Sequence, residues 1–312
     1  MKDLPGRTKL RRDWFGLSDF RTGPKFLRDG AAVYLLESVG STNDFLLGRG
    51  ESAEGRLCTW DGWGWSAHAP SELAPVKNPG PGTVVVAHRQ TAGHGRQGRH
   101  WRDCGGLHLS VVVPSHRAEL AKGLSVWLGL ITVLVLREDF QLDARLKWPN
   151  DLMVRGRKIG GILLQRSGRP GKRLVVAGLG LNLDTEAEAF PAELQGAATS
   201  YAMESGRETR PGEIGGRIIA RVEAELDRFQ EEGWAAYRSA LDLLDCLLGH
   251  EVKLSAGGRV HTGRAVGIGD KGGLVIVGDS DGKQHTFYAG DVHLLPVEDQ
   301  DPAGQEGEPH ES

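Results

Sequence analysis

The chain has 312 residues, 39% hydrophobic and 25% charged; its mean hydropathy of -0.33 is that of a soluble globular protein of about two domains, able to bury a full core. Thirty-eight Lys and Arg against 41 Asp and Glu leave a net charge of -3, which excludes a chain-wide field that recruits nucleic acid. Glycine, at 45 residues, is about twice its ordinary share but lacks the Gly-X-Y period of collagen, so it serves turns and close backbone approaches.

Residues 1–30 hold eight Lys or Arg with the apolar anchors Trp14, Phe15, Phe20 and Phe26. They read as an N-terminal extension, too short for a helix-turn-helix domain. Val33–Glu37 is expected as a strand, followed by a helix that Ser41 or Thr42 caps and that runs to about Gly48. Residues 49–82 are expected as a loop-like insertion, with Trp60, Trp63 and Trp65 clustered ahead of an Asn-Pro-Gly-Pro-Gly exit. Thr83–His88 and Leu107–Val113 are apolar strands, and 118–140 carries a helical pattern. Short strands around Arg145–Lys147 and Leu152–Val154 precede a long pair, Ile159–Gln165 and Leu174–Leu183. From 211 to 241, Ile214, Ile218, Val222, Leu226 and Phe229 recur at helical spacing and predict one long amphipathic helix.

Beyond Cys246 the pattern changes. Glu251–Leu254, Arg259–Ile268, Leu274–Val277, Gln284–Ala289 and Val292–Leu295 are short strands between glycine turns, which predict a small barrel over 246–296 with a boundary near 245. The tail 297–312 carries six carboxylates and no Lys or Arg, and is expected to be disordered. Three cysteines (Cys58, Cys104, Cys246), with no C-x-x-C pair, argue against a disulfide framework and a structural zinc site. The longest apolar run, Val126–Leu136, is short of the roughly 20 residues a bilayer span requires, and the N-terminus lacks an apolar signal region. Cytoplasm is the expected compartment.

The chemistry concentrates in three places. From Arg89 to Arg102, four arginines and two histidines occur without one carboxylate. Gly93, Gly95 and Gly98 match G-x-G-x-x-G after a strand, but the chain continues into another strand instead of a helix, so the dinucleotide reading fails. What remains is a cationic loop whose N–H groups and arginines can wrap phosphate, or else a solvated basic loop. Lys147-Trp148-Pro149-Asn150-Asp151 puts a cation at a strand end ahead of a turn. Lys158-Ile159-Gly160-Gly161-Ile162-Leu163 and Gly178-Leu179-Gly180-Leu181-Asn182 interrupt two strands with glycines, as close approach of a thin ligand requires.

The order Ser41-Thr42-Asn43, Q-T-A-G-x-G-R-x-G-R-x-W, K-W-P-N-D, K-I-G-G-I-L and G-L-G-L-N resembles biotin–protein ligases, from about residue 31 to Leu295. The resemblance implies an α+β fold, with a mixed sheet flanked by helices over 31–245, like that of class II synthetases and lipoate ligases, and an SH3-like C-terminal barrel. It implies that Ser41, Thr42, Asn43 and Gln90 contact biotin. Gly93, His94, Gly95, Arg96 and Arg99 would lie in the loop that closes over biotin and its adenylate. Lys147 would hold the biotin carboxylate and the α-phosphate, and with Arg96 would be catalytic. Gly161 would line the slot, with Trp101 and Asn182 near the adenine. Two departures stand out: the family more often has arginine at His94, so that contact is expected through backbone, and 49–82 is longer than usual. The tryptophans there are expected to cap their own sheet.

The implied reaction uses ATP with Mg2+ and biotin as substrates and no bound prosthetic group, forms biotinyl-5'-AMP, and passes biotin to a lysine of a biotin carboxyl carrier protein of acetyl-CoA carboxylase or a related carboxylase. No activated Ser or Cys nucleophile is evident, which fits direct displacement. No nucleic acid or membrane partner is expected, and a monomer or weak homodimer is. The chain is not itself a carrier: neither Met153 nor Met203 sits in an Ala-Met-Lys-Met context. The alternatives are a lipoate ligase of the same fold and a biotin-responsive DNA-binding regulator. In this reading the C-terminal unit contributes none of the site motifs.

Overall fold

The computed structural model describes residues 14–20, 22–23, 25–26, 31–113, 123–166 and 175–296. The acidic tail 297–312, and the parts of the N-terminal extension and of the 118–140 pattern before 14 and 123, lie outside these. In chain order the elements are β1 (Ala32–Val39), α1 (Thr42–Leu46), β2 (Ala53–Trp60), β3 (Trp65–Ala67), β4 (Ser71–Leu73), β5 (Val84–Gln90), β6 (Gly106–Val113), α2 (Leu124–Glu138), β7 (Ala144–Lys147), β8 (Asp151–Val154), β9 (Arg157–Arg166) and β10 (Val175–Asn182). There follow α3 (Tyr201–Ser205), α4 (Pro211–Glu232), α5 (Arg238–Leu244) and β11 (Glu251–Ala256), β12 (Arg259–Ile268), β13 (Leu274–Gly278), β14 (Gln284–Phe287) and β15 (Asp291–Leu294).

The first ten strands form one mixed sheet, ordered β3-β2-β1-β5-β6-β10-β9-β8-β7, with β4 also on β2. Only β1 and β5 run parallel among its pairs. Period-two alternation sorts the strands between two cores. Val84, Val86, Leu107, Leu109 and Val111 face the larger core with α2 and α4. Val85, Ala87, Val112 and Val176 face a smaller one under Phe45 and Leu46 of α1. The site lies on the α1 side.

Three expectations change. Residues 49–82 are not a loop: β2 pairs antiparallel with β1 and extends the sheet, and β3 and β4 pair with β2. Gly55 permits this, since a Cβ there would lie 2.3 Å from the Leu35 carbonyl oxygen. Of the tryptophans, Trp65 packs edge-on against Phe20 and Trp60, whereas Trp63 is 94% exposed at the hairpin tip. The helix expected over 211–241 stops at Glu232, because Gly233 turns left-handed (φ 65°), and a 3-10 turn and α5 follow. The third change lies before α1. Phe15, Phe20 and Phe26 are buried in the larger core, and Glu223 of α4 accepts from the backbone N–H groups of Lys25 and Phe26.

The C-terminal strands form an antiparallel sheet ordered β14-β13-β12-β11-β15. The edge strands β14 and β15 do not pair, so the expected barrel is not closed. Its apolar side joins the larger core through Val252, Leu254, Ala265 and Ile276. Trp148 Nε1 donates to the Gly272 carbonyl at 3.2 Å. A Cβ on Gly272 would lie 2.5 Å from Gly123 Cα, so this seam is close-packed. Among the described residues no helix is long and apolar enough to cross a membrane.

Candidate active site

At the inner end of the site lies a buried polar knot. Ser41 caps α1, its side chain accepting from Asp44 N. Gln90 Oε1, at the end of β5, accepts from Thr42 N at 2.9 Å and from Thr42 Oγ1 at 3.1 Å. Ser110 Oγ of β6 lies 2.8 Å from Thr42 Oγ1 and 2.6 Å from Asn43 Oδ1, and Asn43 Nδ2 donates to the Leu163 carbonyl. Gly178 leaves room for that amide, since a Cβ would stand 2.5 Å from Asn43 Oδ1. Such a cluster of buried hydroxyls and amides orients a polar ligand far better than it stabilises a core.

A further pair supports it. Asp103 Oδ2 accepts from Gln90 N, and Asp103 Oδ1 lies 3.0 Å from Nε2 of the buried His108. Burial acts to raise the Asp103 pKa, but His108 and the backbone donors Gln90 and Gly105 outweigh it and hold the carboxyl below its usual range. Sequence reading missed this pair, whose only signal was an acid and a histidine flanking a Gly-Gly turn.

The basic loop folds back on itself. Trp101 N donates to the Gly93 carbonyl and Gly95 N to that of Arg99, around a left-handed Gln97-Gly98 turn. His94 Nε2 lies 3.1 Å from Asp44 Oδ2, so the side chain itself, and not only the backbone, clasps α1. Trp101 lies over β10 at Gly180, where a Cβ would meet the indole at 2.6 Å. Gly180 faces Gly161 of β9 in register, which keeps the floor flat. The Trp101 Nε1–H and Gln165 Oε1 are buried without a hydrogen-bond partner.

Two cations flank this floor. Lys158 Nζ stands 6.0 Å from the Trp101 ring centroid and 2.5 Å from Asp151 Oδ1. Arg96 Nη1 donates to Asn150 Oδ1 at 3.3 Å. The Pro-Asn-Asp turn therefore holds both: Asn150 positions Arg96 and Asp151 positions Lys158. Lys147 is not brought to this place. It lines a separate concavity with Arg145, Met153, Arg155, Cys246 and His293. Asn182 is turned to structure, Nδ2 donating to the Thr199 carbonyl at 3.0 Å. Arg96, His94 and Gly95 border a concavity of about 430 Å3 with Asp44, Leu163 and Gln165.

The C-terminal sheet holds none of the sequence motifs, but it reaches this loop. Arg96 Nη2 donates to the Gly290 carbonyl at 3.1 Å, and Asp291 ion-pairs with Arg99 and lies 3.9 Å from Arg96. Burial lowers the Arg96 pKa, against the pull of Asp291 and Asp151.

Residues 67–182 match the biotin/lipoate A/B protein ligase family, and 247–295 the biotin protein ligase C-terminal domain. The chain is 30% identical over 275 residues to the bifunctional ligase/repressor BirA of Escherichia coli, covering 86% of this chain and 76% of that protein. The chain belongs to the biotin protein ligase family. This ligase is also 33% identical over 207 residues to the biotin–[acetyl-CoA-carboxylase] ligase of Paracoccus denitrificans, with 62% of this chain and 83% of that one covered. Among solved structures it is similar to the biotin protein ligase of Aquifex aeolicus in complex with biotin and ATP, at a TM-score of 0.65 and 26% identity over 85% of this chain and 99% of that one. Family membership makes the chain an enzyme, and the mixed sheet with its C-terminal antiparallel sheet is the fold the sequence resemblance implied.

Proposed function

We propose that this ligase condenses biotin with ATP to biotinyl-5'-AMP and passes the biotinyl group to a lysine of a biotin carboxyl carrier protein. One observation carries the reading: Arg96 and Lys158 are held by adjacent residues of one turn, Asn150 and Asp151, beside a buried hydrogen-bonding knot of Thr42, Asn43, Gln90 and Ser110. The knot suits the ureido head, which offers both donors and acceptors. The glycine floor at Gly161, Gly178 and Gly180 suits a thin bicyclic ring and chain under Trp101.

In the first displacement a biotin carboxylate oxygen attacks the α-phosphorus and pyrophosphate leaves. Two anions must meet, so fixed cations lower the barrier by stabilising charge that builds on the phosphoryl oxygens. In this reading Lys158 and Arg96, and not Lys147, supply them. Mg2+ arrives as part of the nucleotide substrate. The Gly93–Trp101 loop covers the mixed anhydride and keeps water from it. In the second displacement the acceptor lysine amine attacks the acyl carbon and AMP departs. Residues 31–245 carry the binding knot and the cations, and 246–296 steady the loop through Gly290 and Asp291.

ATP–pyrophosphate exchange with the purified full chain tests this. Biotin should support exchange and lipoate should not; lipoate-dependent exchange without biotin-dependent exchange would overturn the assignment.

A further inference from the structure

Asp103 and His108 belong to none of the sequence motifs, yet both stand against the knot. Along β6, Leu107, Leu109 and Val111 face the larger core. His108 and Ser110 therefore share the opposite face, the one on which Ser110 meets Thr42 and Asn43 of α1. Register sets Ser110 beside Gly178 of β10 and His108 beside Gly180. Each glycine makes room for a different side chain. A Cβ on Gly178 would lie 2.5 Å from Asn43 Oδ1, and Ser110 Oγ donates to that same oxygen. A Cβ on Gly180 would lie 2.6 Å from Trp101 Cε2. His108 thus stands to Trp101 as Ser110 stands to Asn43, two residues along the same face.

The two pairs differ in one respect. Ser110 and Asn43 satisfy each other, whereas Trp101 and His108 do not. Among the described residues, neither Trp101 Nε1, which is bonded to that Cε2, nor His108 Nδ1 has a hydrogen-bond partner, and both atoms are buried. His108 as a whole is only 3% exposed. Its other ring nitrogen, Nε2, lies 3.0 Å from Asp103 Oδ1. The Asp103 carboxyl titrates below its usual range, so at neutral pH it is a carboxylate that accepts, and Nε2 carries the proton. On the neutral ring Nδ1 is then an acceptor. Asp103 is itself fixed, because it also accepts from Gln90 N at 2.9 Å and Gly105 N at 3.2 Å. A buried acceptor is costly while unmet, and this one stands beside an unmet donor.

We propose that His108 is a ligand-contacting residue of this site, its Nδ1 accepting a hydrogen bond from an N–H or O–H of the bound substrate, with Asp103 as the positioning residue that fixes its tautomer. The inference rests on the substrates read above, biotin and ATP. Two of their groups have the chemistry: the ureido N–H and C=O of biotin, and a ribose hydroxyl of the nucleotide. Either can donate to His108 and accept from Trp101. A compound without such a donor leaves Nδ1 unmet and is disfavoured.

Two near-isosteres separate contact from bracing. The amide of glutamine reaches the position of Nε2, so His108→Gln keeps a donor on Asp103 and removes Nδ1. The amide of asparagine reaches the position of Nδ1, so His108→Asn keeps a polar group there and loses the tie to Asp103. Calorimetry on the full chain gives the biotin Kd, and single-turnover adenylate formation gives the KM for ATP. His108→Gln should raise one of these by at least about fivefold, the scale of one lost hydrogen bond, and leave the other within about twofold. His108→Asn should recover part of the loss. A raised biotin Kd assigns the donor to the ureido head, and a raised KM for ATP assigns it to the ribose. If His108→Gln changes neither, the proposal falls. It falls equally if His108→Asn loses more than His108→Gln, because the tie to Asp103 would then be the whole effect. The wild type gives a second readout that needs no stable variant. In 15N spectra of its imidazoles, Nδ1 of His108 should shift on addition of biotin or ATP, whichever supplies the donor, and an unmoved resonance overturns the proposal. A wild-type chain that binds neither substrate would instead defeat the substrate reading itself.

Discussion

Lys158 Nζ lies 2.5 Å from Asp151 Oδ1, and the residue before that aspartate takes the Arg96 guanidinium on its amide oxygen. A single turn thus fixes the separation of the two cations. Lys158→Ala should lower biotin adenylation by about 10²-fold or more, the scale of one lost electrostatic transition-state contact. The loss should persist at saturating ATP, because it is a loss of kcat. Asp151→Asn should cost less, since it frees the lysine without removing its charge. Single-turnover adenylate formation measures both, and a Lys158→Ala enzyme of near-normal rate would remove Lys158 from the reaction.

Asp291 ties the basic loop to the C-terminal sheet through Arg99 and Arg96. Asp291→Asn should loosen that tie, so trypsin should cut faster at Arg96, Arg99 and Arg102 in the ligand-free protein. Biotin with ATP should slow cutting in both forms, because phosphate replaces the carboxylate as the arginines' partner. Equal cutting with and without demonstrable adenylate would show that the loop is not the cover.

Glu204 is buried under the start of β9. Its Oε1 accepts from Arg157 Nη2 at 2.6 Å and from Thr199 Oγ1 at 2.7 Å. Lys158 N donates to Ala197 O, and Thr199 N to Lys158 O, so the same cluster grips the backbone of Lys158. Glu204→Ala should destabilise the fold by roughly 2 kcal/mol, the scale of leaving buried partners unsatisfied. Urea denaturation reads that loss; an unchanged midpoint would mean the cluster contributes nothing.

Asp245 sits where α5 leads into the C-terminal sheet, and burial raises its pKa to about 6. Its unfolded value is near the usual 3.8, so the folded state binds the proton more tightly. Its contribution to stability is therefore greatest at low pH, falls as pH rises from about 4 through 6, and becomes a standing cost of up to about 3 kcal/mol above that. Asp245→Asn should flatten this slope and stabilise the protein at pH 8 relative to pH 5. Denaturation midpoints at the two values decide it, and an unchanged slope would show that Asp245 is not the group responsible.

Much of this protein is written in local pattern. The apolar stretches within Val84–Gln90 and Gly106–Val113, buried on both faces, the 3.6-residue spacing of Ile214, Ile218, Val222 and Leu226, and the glycine turns after Cys246 are each features of a short segment. The motifs are equally local, and they locate the basic loop and the two glycine-interrupted strands. What only the tertiary structure decided is which partners those segments meet. Strand β2 mixes glycine, cysteine and charge, and becomes a strand because β1 offers it an open edge. Phe15, Phe20 and Phe26 look like an appendage until the core closes around them. Lys147 and Lys158 both sit in lysine-led motifs, and no spacing rule ranks them. Strand order does, because it sets Lys158 beside Trp101 and carries Lys147 two strands further out, against His293 of a sheet that begins about a hundred residues later. Contacts between residues so far apart depend on how the sheets pair and pack, and that information is not held in any window of the chain.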